Sequence, residues 1–451
     1  PQALYDYLYF HMIPAPRTVF KDIFRLPAGH YALFENGKLI VAAWWKPHFV
    51  EDRRVPYADI KAEFRQILRD AVTDQIGTGA IGCFLSGGTD SSTVAGLIRE
   101  VTGQPAEAFS IGFEAAGYDE MEYARLAARH FGAKHHEYYV TPDDLVRSIP
   151  EVAASYDQPF GNSSVVPAFY CAKAAREAGI ARILAGDGGD ELFGGNTRYA
   201  KQRVFGAYEQ IPGILRRGLL EPLLTGTILP GKIPGLKKVV SYVEQASVPM
   251  PDRMQMYNLL GRLGLSEVLT PEFLAQVNPQ DTLRQQREAY EAGDASAQVN
   301  RMLWYDWKYT LADNDLPKVL GSTKLAGLEV GFPLLDDRLV DFSLRLDPEL
   351  KLKGLTLRWF FKEALKDFLP PEIITKKKHG FGLPFGVWAV EHPALRAMAM
   401  DSLDSLRSRG IVRAEFLDRL IKEYLPQHPG YYGELVWILM MLAQWLRRHG
   451  L

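Results

Sequence analysis

The sequence predicts an α/β chain built on a parallel sheet, followed by a largely helical part. Three observations predict it. Between residues 57 and 200, short apolar runs alternate with amphipathic helical segments, the pattern of strands covered on both faces by helices. Two glycine-rich loops, 86–91 and 186–189, each follow such a run, as ligand-binding loops do at the carboxyl edge of a parallel sheet. Beyond about residue 200 the helical period dominates, with Pro and Gly punctuation around 212–236.

The elements follow in order. Tyr5 to Met12 is aromatic and apolar, and Phe24 to His30 is a turn-bearing link. Residues 31–34 and 38–42 read as two strands around Glu35-Asn36-Gly37, where Asn-Gly is a strong hairpin signal. Trp44-Trp45-Lys46-Pro47 closes this unit and Glu51 to Pro56 is a charged linker. A unit so small does not stand alone, so residues 1–50 read as the tail end of a domain, and Pro1 as a start cut from something longer. Helices are then expected over 58–72, 91–101, 120–131, 142–155 and 164–178, with strands over 81–85, 108–113, 136–140 and 181–184.

Composition narrows the function classes. The chain has 451 residues, 47% hydrophobic and 24% charged, which is long enough for a large core. A formal net charge of −2 gives no electrostatic footprint for nucleic acid. Cys83 and Cys171 have no metal-binding spacing and suit a reducing, cytoplasmic setting, with Cys83 in the core. The apolar stretch Leu435 to Leu446 is broken by Gln444 and followed by Arg447-Arg448-His449. It is too short to span a bilayer and reads as a buried helix.

The chemistry concentrates in three constellations. Phe84-Leu85-Ser86-Gly87-Gly88-Thr89-Asp90-Ser91-Ser92 is a strand, a glycine turn and a helix start. Glycines admit an anion close to backbone N–H groups, and the helix N-terminus adds partial positive charge. Ser86, Ser91 and Ser92 can donate hydrogen bonds, and Asp90 can hold Mg²⁺. An ordinary strand-to-helix turn would need none of these. The second loop, Gly186-Asp187-Gly188-Gly189-Asp190-Glu191, clusters acids that repel unless something uses them. Asp190 is the expected second Mg²⁺ contact, with Asp187 nearer the reacting centre. The third is Lys376-Lys377-Lys378-His379-Gly380-Phe381-Gly382. Lys376 and Lys377 read as a solvated basic turn. Lys378 reads as a phosphate contact, because a fixed cation stabilises charge building on phosphorus.

Ser86-Gly87-Gly88-Thr89-Asp90-Ser91 resembles the PP-loop of ATP pyrophosphatases, the adenine nucleotide alpha hydrolase-like fold, and lacks the Gly-Lys-Ser/Thr of a Walker A loop. Over residues 1–445 the chain resembles the asparagine synthetase family. Phe109 to Phe113, Tyr118-Asp119-Glu120, His135-His136-Glu137 and Gly186 to Gly195 follow its pattern, and residues 328–336 resemble its late helical region. The resemblance implies that 1–50 is the C-terminal remnant of a class II glutamine amidotransferase (glutaminase) domain. It also implies that 51–451 is a synthetase domain, with an α/β core over 57–200 and a helical part over 201–451.

By the same resemblance, ATP and Mg²⁺ activate a carboxylate as its acyl-adenylate with release of pyrophosphate, and ammonia then attacks with release of AMP. Ser86, Gly87, Gly88, Asp90, Ser91 and Ser92 match the pyrophosphate and metal residues. Leu85, Ile111 and Gly186 match the adenosine pocket, Gly112 and Ala185 are grouped with the cofactor-binding residues beside it, and Asp190 matches the second metal acid. Asp187 would orient or deprotonate the amine, and Lys378 would sit on the phosphates. Ammonia would come from glutamine through an upstream domain whose cysteine nucleophile this sequence lacks. A homodimer is compatible, and neither nucleic acid nor membrane is an expected partner. Departures fall on the acceptor side: Asn162 for an acid, Ala185 for a serine, Asn196 for a tyrosine, and Leu320-Gly321 and Gly331-Phe332 for Asp-Arg and Arg-Val. Aspartate, a sugar acid, a peptide, or a substrate closing on its own amine as in β-lactam synthetases all remain acceptors. Transfer RNA modification by a PP-loop enzyme fits poorly with the acidic balance and unpaired cysteines. A nucleotide-binding module without catalysis fits poorly with Asp90, Asp187, Asp190 and Lys378.

Overall fold

A computed structural model describes residues 1–51, 55–77, 79–216, 236–376 and 382–451. Its centre is a five-stranded sheet of order β5-β4-β3-β6-β7, parallel throughout. The strands are β3 (Ile81–Phe84), β4 (Glu107–Phe113), β5 (Lys134–Val140), β6 (Arg182–Leu184) and β7 (Glu329–Gly331). The expected strands and helices between 57 and 184 are present with boundaries shifted by a few residues. β7 is a correction: residues 328–330 were expected in a helical region, yet Glu329–Gly331 pairs with Arg182–Leu184 as the sheet's last strand. Three residues carry no readable period, so only the sheet edge reveals them.

Helices α2 (Tyr57–Gln75), α3 (Thr89–Thr102) and α4 (Met121–Phe131) bury Phe64, Leu68, Val94, Ile98 and Phe131 against one face of the sheet. On the other face α6 (Val165–Glu177) packs Cys171, Ala172 and Ala175 beside Phe109 and Ile183. Both cysteines are buried and free. Local signals set the helix ends. α3 starts at Gly88 and stops at Gly103, which takes φ 69°. α5 (Pro142–Ser155) carries a reciprocal capping box between Thr141 and Asp144, with Pro142 at its first position.

The helix Pro429–Arg448 is buried along Leu435 to Leu446 in the largest core cluster. α1 (Gln2–Phe10) lies in the same cluster, and Tyr7 Oη donates to the Ile438 carbonyl at 2.8 Å. Among the described residues no helix is long and apolar enough to cross a membrane. β1 (His30–Glu35) and β2 (Lys38–Ala43) form an antiparallel hairpin around Asn36 (φ 51°) and Gly37 (φ 74°), as the dipeptide predicts. This hairpin stands clear of the cores, with Phe34 72% exposed.

Candidate active site

Both glycine loops leave the same edge of the sheet. Leu85 N–H donates to the Phe109 carbonyl and Ala185 N–H to the Gly331 carbonyl, each extending its strand by one bond before the chain turns away. Gly87 takes φ 67°, and a Cβ there would meet the Tyr123 carbonyl carbon at 2.4 Å and the Ala124 nitrogen at 2.5 Å. Glycine is therefore required by both backbone and neighbour. The loop is then tied internally: Ser86 N–H donates to Ser91 Oγ at 3.1 Å, and the two hydroxyls lie 3.0 Å apart. The second loop touches the first, since a Cβ on Gly186 would lie 2.8 Å from Ser91 N and one on Gly189 2.2 Å from Asp90 Oδ1.

Together they line one cavity of 940 Å³. Of the residues expected in a site, Leu85, Ser86, Gly88, Asp90, Ser91, Ile111, Gly186, Asp187 and Asp190 line it. Gly87, Ser92, Gly112 and Ala185 lie behind these. Ser92 and Ala185 are fully buried, and Gly112 faces the Tyr139 ring. Lys378 and Lys377 lie outside the described residues. Lys376 corrects its expectation as a solvated residue. Its side chain is 8% exposed, pairs with Glu120 at 3.1 Å, sits 4.3 Å from the Tyr123 ring centre, and lines the cavity.

Two cations that the sequence left unmarked complete the electrostatics. Arg358 joins the two loops: Nη1 donates to Asp90 Oδ2 at 2.7 Å, to Asp190 Oδ1 at 2.9 Å and to Thr89 Oγ1 at 2.9 Å, and Nη2 donates to Asp90 Oδ1. Lys318 lies 3.6 Å from Asp187 and 3.0 Å from Asp315. Burial raises the Asp187 carboxyl, with Lys318 opposing that shift. Burial would lower the Lys318 amine, but Asp315 and Asp187 outweigh it and hold the amine above its ordinary value. Asp315 ends a π-helical stretch, Trp307–Asp315, that runs straight into the helix Leu316–Leu325. Such widened turns are frequent at functional sites; this one contributes Thr310, Leu311 and Asp315 to the cavity, and the helix that follows contributes Lys318.

A sequence signal existed for Arg358. A lone arginine beside Trp359-Phe360-Phe361 must pair if it is buried. Lys318 gave none, because Asp315 three residues earlier supplies an ordinary helical partner.

The donor set fits Mg²⁺ bound with a polyphosphate, which takes one or two carboxylates and leaves other positions to phosphate and water. Asp90 and Asp190, which come within reach of a single guanidinium, would be that pair. Two positions expected on the acceptor side lie outside the cavity lining: Asn162 Nδ2 donates to Asn314 Oδ1 at 2.9 Å, and Gly321 lies against Tyr156. His135 and His136 pair instead with Glu137 and Glu107 on the neighbouring sheet surface.

Known proteins resemble this chain over most of its length. The chain is 26% identical over 396 residues to asparagine synthetase [glutamine-hydrolyzing] 1 of Bacillus subtilis (strain 168), covering 86% of this chain and 60% of that one. It is 23% identical over 437 residues to asparagine synthetase [glutamine-hydrolyzing] 3 of the same organism, covering 93% and 63%. A relative in Mycobacterium tuberculosis (strain ATCC 25618 / H37Rv) is 26% identical, covering 98% of this chain and 67% of its own. The chain thus spans about three fifths to two thirds of the length of these relatives. Among solved structures, NMN synthetase from Francisella tularensis covers 57% of this chain and 94% of its own at 14% identity. Its TM-score of 0.25 is too low to carry an argument. The profile of the Asparagine synthase family matches residues 63–447, nearly the whole chain beyond the hairpin, and the chain belongs to that family.

Proposed function

We propose that the protein is an AMP-forming carbon–nitrogen ligase. It adenylates a substrate carboxylate with ATP, releases pyrophosphate, and passes the acyl group to ammonia with release of AMP. One observation carries this reading: the Ser86–Ser91 loop and the Gly186–Asp190 loop face one cavity, with Asp90 and Asp190 converging on a single cation. Membership of the Asparagine synthase family supports it.

In this reading Ser86, Gly88 and Ser91 grip the pyrophosphate end of ATP through hydroxyls and the N-terminal N–H groups of α3. Leu85, Ile111 and Gly186 flank the adenosine. Asp90 and Asp190 would hold Mg²⁺, which supplies charge neutralisation at the phosphates. Lys378 adds a cation where charge builds on phosphorus. Asp187 orients or deprotonates the incoming amine, and Lys318 keeps its carboxylate form accessible. Residues 1–50 correspond to the end of a glutaminase domain and 51–451 to the synthetase domain. Ammonia then comes from glutamine hydrolysed by the remainder of the longer protein. The exposed β1–β2 hairpin supports that division, although α1 packs with the C-terminal helix.

The test is pyrophosphate and AMP formation from ATP, with ammonium as the nitrogen donor. The acceptor panel holds aspartate, sugar acids, peptides and a β-amino acid carrying its own amine. The reading requires AMP, not ADP, and pyrophosphate release that depends on one carboxylate. ADP formation, or release independent of every carboxylate, overturns it. Asparagine formation from aspartate would make aspartate the acceptor despite Asn162, Gly321 and Gly331.

A further inference from the structure

Arg358 reaches the cavity from a constrained backbone position. It follows the short hairpin Leu352–Lys353 and Thr356–Leu357 and precedes the helix Trp359–Ala364, with φ 54° and ψ 36°. A non-glycine residue persists in this left-handed region only when its surroundings over-determine it. Here they do. The residue is 4% exposed, and its guanidinium carbon lies 4.0 Å from the Phe361 ring centre. Its N–H groups engage both oxygens of Asp90, one of Asp190, and the Thr89 hydroxyl. The backbone of the second loop is moulded to it, since a Cβ on Gly189 would lie 2.8 Å from Nη2 and one on Gly195 2.6 Å from Cδ.

This fork covers the ground that a metal ion shared by Asp90 and Asp190 would need. Mg²⁺ binds oxygen at about 2.0–2.1 Å in strict octahedral geometry. It cannot share those lone pairs with a guanidinium held at hydrogen-bond distance. A guanidinium is also the side chain best matched to two phosphate oxygens.

We propose that Arg358 is the resident counter-ion of the Asp90–Asp190 pair: it holds the two carboxylates together before nucleotide arrives, keeps bare divalent cations out, and turns its fork onto phosphate oxygens when metal enters bound to a nucleoside triphosphate. The inference rests on the reading that Asp90 and Asp190 take the metal. It makes Arg358 a positioning residue that sets the order of entry: metal enters as its nucleotide complex.

The experiment titrates Mn²⁺ against the full chain by electron paramagnetic resonance, alone and with ATP, for the wild type, Arg358→Gln and Arg358→Lys. With a like-charged competitor removed from a largely buried acid pair, Arg358→Gln binds bare Mn²⁺ at least ~10-fold more tightly than the wild type. Arg358→Lys, a point charge without the fork, falls between them. Melting temperature gives a second readout. Arg358→Gln melts lower than the wild type in chelator and recovers on adding Mn²⁺ alone, while the wild type barely moves. A simple structural role gives the lower melting temperature without the recovery. Bare Mn²⁺ affinity unchanged in folded Arg358→Gln overturns the inference. If that variant does not fold, unchanged affinity in Arg358→Lys does the same. Wild-type binding of Mn²⁺–ATP alongside unchanged bare affinity removes the inference alone. Failure of the wild type to bind Mn²⁺–ATP removes the underlying metal reading with it.

Discussion

Lys318 brings its ammonium to 3.6 Å from the Asp187 carboxylate, linking the second glycine loop to the helix Leu316–Leu325. The pair lies at the same cavity as the Ser86–Ser91 loop, and its two members oppose each other's titration. Burial pushes Asp187 up and Lys318 draws it back. Removing the ammonium therefore leaves Asp187 protonated to a higher pH.

That sign gives the first prediction. If Asp187 works as a carboxylate, the rate falls as pH drops through its pKa. Lys318→Met moves this acid limb of the pyrophosphate-release profile to higher pH and lowers the rate near neutrality by about 10-fold or more. Lys318→Arg keeps the cation and shifts the limb little. A pH–rate profile of the three proteins measures it. An unmoved limb in Lys318→Met would mean that Asp187 does not titrate in the reaction.

Gly87 gives a prediction about folding. Gly87→Ala combines an unfavourable positive φ with backbone contacts of 2.4 and 2.5 Å at Tyr123 and Ala124, where nothing flexible can yield. The expected loss is about 2–4 kcal/mol by chemical denaturation. Gly103→Ala has a similar φ of 69° with no atom within 4 Å of its Cβ, so it should cost only about 1 kcal/mol. Equal losses at the two sites would contradict the contact argument.

These residues also mark how far the sequence could be read. The 86–91 and 186–190 loops were legible because glycine, serine and acid at fixed offsets after a strand have few uses. The Asn36-Gly37 hairpin was legible because its turn demands positive φ twice. β7 was not, because three residues hold no period and owe their state to pairing with β6. Lys376 looked solvated because two further lysines follow it, whereas Glu120 and Tyr123, distant in sequence, bury it. Arg358 could be flagged from its aromatic neighbours as a residue needing a partner, but its partners Asp90 and Asp190 are distant in sequence, and Lys318 was masked by its local partner Asp315. Long-range ion pairs leave no local pattern, so half of the cavity's charge became visible only in three dimensions.

Lys351 supplies a pH-dependent test of stability. Its ammonium is buried at 2.8 Å from Asn300 Oδ1 and 5.3 Å from the Phe49 ring centre. Burial lowers its pKa to about 7, against the pull of Glu51 and Asp347. An unfolded lysine titrates near 10.4, so between about pH 7 and 10 the unfolded chain binds more protons than the folded one. Stability contributed by this group is full above the unfolded value and is lost as pH falls through the folded one. The urea midpoint should therefore rise from about pH 7 to about pH 9 in the wild type. In Lys351→Met that component of the rise disappears. Parallel slopes in the two proteins would show that Lys351 keeps its proton in the fold.

Gly321 ties the packing of Tyr156 to the helix that carries Lys318. A Cβ there would lie 2.3 Å from Tyr156 Oη and 2.5 Å from its Cζ. That hydroxyl donates to the Pro317 carbonyl at 3.2 Å, one residue before Lys318. Gly321→Ala must push the Tyr156 ring aside, lose this hydrogen bond and shift the first turn that carries Lys318. A stability loss of about 1–3 kcal/mol is expected. Tyr156→Ala creates a cavity by itself, but with the ring gone Gly321→Ala has nothing left to displace. The double variant should therefore lose less than the sum of the two singles. Kinetically, Gly321→Ala should reduce turnover with the carboxylate while ATP affinity holds, because the Ser86–Ser91 loop makes none of these contacts. Additive stability losses would mean that Tyr156 and Gly321 are not coupled, and a matching fall in ATP affinity would mean that the strain reaches the phosphate loop.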